Sequence, residues 1–103
     1  MIGYSVKTRK RQVSVEMVNK FKAIPVANIS DVMSRIAAGG PRLRPLHARG
    51  GLAGPAVTVK TRPGDNLMVH HAFNTASPGD VIVVDAGGDL TNAIVGELML
   101  THA

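Results

Sequence analysis

The stretch with the most chemical potential runs from Asp85 to Glu97. Asp85-Ala86-Gly87-Gly88-Asp89 sets two carboxylates around a pair of glycines, and Glu97 follows within the next short segment. Glycine lets a backbone come close to a ligand, free N–H groups near a helix start suit a carboxylate or phosphate, and Asp85, Asp89 and Glu97 offer oxygen ligands to a hard cation. The same residues also make an ordinary strand-to-helix turn, because Gly supplies conformational freedom and Asp hydrogen-bonds its own backbone. The glycines do not follow G-x-G-x-x-G, and no Lys-Ser or Lys-Thr follows as in a P-loop. Spacing alone favours turn chemistry.

The remaining polar residues point to less. His70 and His71 are neighbours on a predicted helix and diverge, which is poor geometry for two ligands on one metal; one of them is expected to face solvent. His47 falls in a loop, His102 lies near the last residue, and no H-E-x-x-H spacing links any of the four. Ser30 and Ser34 lack the G-x-S-x-G elbow of a serine hydrolase. The chain has no cysteine, which removes thiolate chemistry and disulfides and suits a cytoplasmic protein.

The elements that must position these residues follow from periodicity. Met17, Val18, Phe21 and Ile24 recur at helical spacing, with Ser14 as cap and Pro25 as stop. Asn28 and Ser30 announce a second helix, whose stripe Val32, Met33, Ile36, Ala37 ends at Gly39-Gly40-Pro41. The segment from Arg42 to Gly51 reads as a loop. Ala56 to Thr61 alternates apolar with polar, as a half-buried strand does, and Pro63-Gly64-Asp65 turns the chain. Asn66 is the expected cap of a third helix bearing Met68, Val69, Ala72, Phe73 and Ala76. Ser77-Pro78-Gly79-Asp80 breaks it. Val81-Ile82-Val83-Val84 reads as a strand buried on both faces, and Ala93 to Leu100 as a last helix. Alternating strands and helices imply an α/β layer structure with parallel pairing.

Length and charge bound the rest. A chain of 103 residues with 45% apolar content makes one small domain with a modest core. It has no run long enough to span a bilayer and no signal-peptide core, so a soluble protein without a membrane partner is expected. The net charge is +5, and Lys7, Arg9, Lys10 and Arg11 supply four of the twelve basic groups. Residues 1–13 read as a basic arm and 14–103 as part of one domain. With one Tyr, two Phe and no Trp for stacking, a solvated arm is favoured over nucleic-acid binding.

Four blocks in order carry a resemblance. Ala27-Asn28-Ile29-Ser30-Asp31-Val32-Met33, then Gly54 to Asn66, then Pro78 to Gly88, and finally Gly96-Glu97-Leu98-Met99 are similar to the RraA-like family, over nearly everything after the arm. The resemblance implies a layered fold of the swivelling β/β/α type, here its N-terminal half, since family members are about twice as long as a chain of this size. It also implies a divalent-metal lyase, dependent on Mg²⁺ or Mn²⁺, that cleaves 4-hydroxy-4-methyl-2-oxoglutarate to pyruvate and decarboxylates oxaloacetate. Both reactions pass through a pyruvate enolate. The alternative within the family is a non-catalytic regulator of the ribonuclease E inhibitor type. By similarity, the backbone N–H groups of Gly96, Glu97, Leu98 and Met99 hold the substrate carboxylate, and Glu97 relays a proton through a metal-bound water. Aldolases of the family more typically carry Asp at that position. The Arg-Asp pair that binds metal and substrate in the family lies one helix and one strand after this block and has no counterpart in these residues, so this chain supplies no direct metal ligand and is expected to be inactive alone. Family members assemble as homotrimers or hexamers, and a homo-oligomer acting on a small α-keto acid is expected here.

Overall fold

A computed structural model describes residues 3–103. The chain divides after Ala53 into two compact units.

In the first unit, residues 3–14 form no regular secondary structure. The first helix, α1, spans Val15–Lys22 and is capped by Ser14, whose hydroxyl accepts from the Met17 N–H at 3.1 Å, as the sequence leads one to expect. It ends before Ile24. Helix α2 spans Val26–Val32 and departs from expectation at both ends. Its N-cap residue is Pro25, at φ −59°, whose carbonyl accepts from the N–H groups of Asn28 and Ile29, so Asn28 and Ser30 lie inside the helix. It stops short of Ile36 and Ala37 because Ser34 and Arg35 turn left-handed, at φ 58° and 60°. The Arg35 N–H donates to the Ser30 carbonyl and the Ser34 N–H to that of Asp31, the paired closure of a Schellman motif. No described residue of this unit is buried.

The second unit is a strand–helix–strand arrangement. Strand β1, Ala56–Lys60, pairs parallel with β2, Val81–Asp85, in the register Ala56↔Val81 through Lys60↔Asp85. Helix α3, Leu67–Thr75, packs on both strands and contributes the buried core, Val69 and Ala72. Val57 and Val59 lie beside Ile82 and Val84 on the better covered sheet face. Val83, on the opposite face, is 50% exposed. The apolar run 81–84 is therefore not buried on both faces, because nothing in a two-stranded sheet with one helix covers the second. Asn66 makes no side-chain cap bond; Asp65 does this instead, its Oδ1 accepting from the Leu67 N–H at 3.0 Å. The last helix, α4, spans Glu97–His102. It starts later than expected, since Asp89 to Asn92 commit their polar groups to a turn and Gly96 is extended, with φ −123° and ψ 176°. No helix among the described residues is long and apolar enough to cross a membrane.

Candidate functional site

Parallel pairing brings the loops that leave β1 and β2 to the same end of the sheet, the carboxyl end, where α/β folds keep their ligands. The pairing is extended there by the Thr61 N–H, which donates to the Asp85 carbonyl at 2.9 Å. The Thr61 hydroxyl donates to the Asp65 carbonyl at 2.7 Å. Asp65 also pairs with Arg62 at 3.5 Å. A shallow, open depression results, lined by Arg62, Pro63, Gly64, Asp65, Asn66 and Asn92.

The two loops touch through glycines. A Cβ at Gly64 would sit 3.3 Å from the Asn92 side chain, and one at Gly87 would sit 3.2 Å from the Pro63 ring; both glycines hold positive φ, 78° and 75°. The site therefore needs glycine at both places, for backbone conformation and for close approach.

The acidic residues of the second loop turn inward on their own backbone. Asp85 Oδ1 accepts from the Gly87 N–H at 3.1 Å. Asp89 accepts from the Thr91 N–H at 2.9 Å, the Thr91 hydroxyl at 2.7 Å and the Asn92 side-chain amide at 2.9 Å. Donors aimed at the ionised form favour it, with the Thr91 hydroxyl the largest cause, and the Asp89 carboxyl is lowered from its ordinary 3.8 to about 2. Among the described residues no group of three or more His, Cys, Asp or Glu converges as a metal would require. Asp85 and Asp89 thus act in the turn chemistry that their spacing suggested.

Glu97 is exposed, as the first residue of α4, and Gly96 precedes it as the cap position without a side-chain bond. Leu98 is 86% exposed and Met99 half-buried. The N–H groups opening a helix have no acceptor within it, so those of Glu97, Leu98 and Met99 have none in α4. None of the residues Gly96 to Met99 lines the depression. His70 and His71 are both exposed, whereas only one was expected to be; His47 Nε2 lies 3.1 Å from the Gly50 carbonyl. Arg62 and Asn92 were not singled out from sequence. The available signal was the parallel strand pair, which obliges the loops following both strands to lie side by side.

Comparison with known proteins agrees with the sequence blocks. The family model described as RraA-like, Aldolase/RraA, matches residues 26–103. A relative from Halalkalibacterium halodurans is 42% identical over 92 residues, covering 89% of this chain and 44% of its own. One from Deinococcus radiodurans is 34% identical over 73 residues, 71% of this chain and 45% of its own. A third, from Cupriavidus necator, is 38% identical over 68 residues, 66% and 39% respectively. All three carry the provisional name 4-hydroxy-4-methyl-2-oxoglutarate aldolase. The chain spans less than half the length of these curated relatives. No solved structure gives a significant match. With most of its length matched, and in the order its own sequence blocks suggest, the chain belongs to the RraA-like family.

Proposed function

We propose that this chain supplies the substrate-carboxylate half of a lyase that cleaves 4-hydroxy-4-methyl-2-oxoglutarate to pyruvate, with oxaloacetate decarboxylation as a side activity. The reading places it in a layered β/β/α domain of a cytoplasmic homotrimer or hexamer. The observation that carries it is the likeness, over 89% of the chain, to the Halalkalibacterium halodurans relative.

In this reading the free N–H groups at the start of α4, from Gly96 to Met99, receive the substrate carboxylate. Cleavage breaks the bond between C3 and C4 of the substrate: the C4 hydroxyl loses its proton and C3 keeps the electron pair as an enolate. Glu97 Oε is the group assigned to take that proton and return it to C3. The Mg²⁺ or Mn²⁺ that the resemblance implies does not fit the described residues by themselves, since no three ligating side chains converge and Asp85 and Asp89 are engaged by their own loop.

A chimera tests the proposal. Residues 1–103 are joined to the remaining segment of the Halalkalibacterium relative, and pyruvate release from 4-hydroxy-4-methyl-2-oxoglutarate is followed with Mg²⁺ present. Chelator-sensitive turnover by the chimera, with none by the 103-residue chain, is the expected result. A folded, assembled chimera without turnover would overturn the lyase reading in favour of a regulatory, protein-binding member of the family.

A further inference from the structure

We propose that the first unit, residues 3–53, is a sequence-independent binding surface for the phosphate backbone of nucleic acid, an inference that does not depend on the lyase reading. The net charge of +5 conceals an uneven division. Ten of the twelve Lys and Arg residues fall before Gly54, where the acidic residues are Glu16 and Asp31 alone; the second unit has Lys60 and Arg62 against five acidic residues. With Lys7, Arg9, Lys10 and Arg11 of the arm set aside, the eight remaining basic and seven acidic residues nearly balance, but only as the sum of a basic unit and an acidic one. Both carboxylates of the basic unit already have cationic partners, Glu16 with Lys20 on α1 at 3.4 Å and Asp31 with Arg35, just beyond the end of α2, at 2.9 Å.

Six exposed cations fall in two stretches of sequence, Lys7, Lys10 and Arg11 in the arm and Arg42, Arg44 and Arg49 in the loop after α2, both without helix or strand. Four of these six are arginines, whose planar guanidinium takes phosphate oxygens two at a time. Two irregular cationic segments on either side of a pair of short helices suit a linear polyanion, which can follow both. The scarcity of aromatic residues leaves little for base stacking, so recognition rests on charge and is insensitive to sequence. An anionic bilayer is the poorer fit: α1, with Val15, Met17 and Phe21 exposed, adjoins the arm stretch alone, and the three arginines of the loop have no helix beside them to serve as the apolar anchor that stable attachment draws on.

The test is fluorescence anisotropy of the 103-residue chain with a labelled random-sequence RNA and a duplex DNA, each about 20 nucleotides long, between about 50 and about 200 mM salt. Both nucleic acids should bind irrespective of sequence, with affinity falling about 10³-fold across that range, as about six phosphate contacts require. The triple variants K7Q/K10Q/R11Q and R42Q/R44Q/R49Q should each lower the logarithmic salt slope by about 3, with an unchanged far-ultraviolet spectrum showing that the helices persist. Absence of binding at the low salt concentration would overturn the proposal. So would a slope unchanged in both variants, or binding to phosphatidylglycerol vesicles with neither nucleic acid bound.

Discussion

A Cβ added to Gly64 would lie 3.3 Å from the side chain of Asn92, so the loop leaving β1 and the loop following β2 meet at a glycine that a methyl group would crowd. The Asn92 amide is in turn held by Asp89 at 2.9 Å, which leaves it little freedom to give way. Gly64→Ala should destabilise the second unit by about 1–2 kcal/mol, from left-handed strain alone. Gly96→Ala is the control: its φ is ordinary and a Cβ there meets nothing, so its effect should stay within about 0.5 kcal/mol. Hydrogen-exchange protection of the β1 amides reads both.

The Asp89 turn should respond to acid. Its carboxyl titrates at about 2 in the fold against an ordinary 3.8, so the unfolded form binds a proton first. The stabilisation from this group is complete above about pH 3.8 and is lost as the pH falls toward 2. Carboxyl-carbon NMR should place the Asp89 midpoint near the lower value, and Asp89→Asn should remove this part of the acid dependence. A midpoint at the ordinary value would show that the Thr91 and Asn92 contacts do not persist in solution.

Much of this was legible in the sequence, and the misses share a cause. Ser14 and the β1 and β2 runs were readable because their signals are local: a hydroxyl before an apolar stripe, or a short β-branched run between turns. The end of α2 was not, because Ser34 turns left-handed at a position where glycine is the usual signal. Asn66 and Asp65 are adjacent cap candidates, and only geometry shows that Asp65 reaches Leu67. Arg62 and Asn92 became visible only when strand pairing joined loops distant in sequence.

Glu97→Gln, made in the chimera, separates a proton carrier from a helix-end charge. As a carrier, its loss should cut kcat about 10²–10⁴-fold with KM little changed. As a charge near the α4 start, it should cost about 0.3–1 kcal/mol of stability and leave turnover alone. Steady-state kinetics below the melting temperature of both proteins decides.

The core predicts both fragility and association. Val69 is fully buried and Ala72 3% exposed, so Val69→Ala should cost about 2 kcal/mol and abolish the cooperative melting of the second unit. Val83, Leu90 and Leu98 present apolar surface, and β1 and β2 are each an open edge. Sedimentation should therefore show self-association that grows with concentration; one monomeric mass throughout would contradict this.

The parallel register has a kinetic meaning as well. Every β1–β2 pair joins positions as far apart in sequence as Ala56 and Val81, so no hairpin can form early and zip. Loop-closure entropy must be met before the first ladder bond returns anything. Helix α3, the segment between the strands, is local and can form first; its Val69 face then gathers both strands together. Folding of this unit should accordingly slow with any change that weakens α3, while changes confined to the open face of the sheet act on its rate of unfolding.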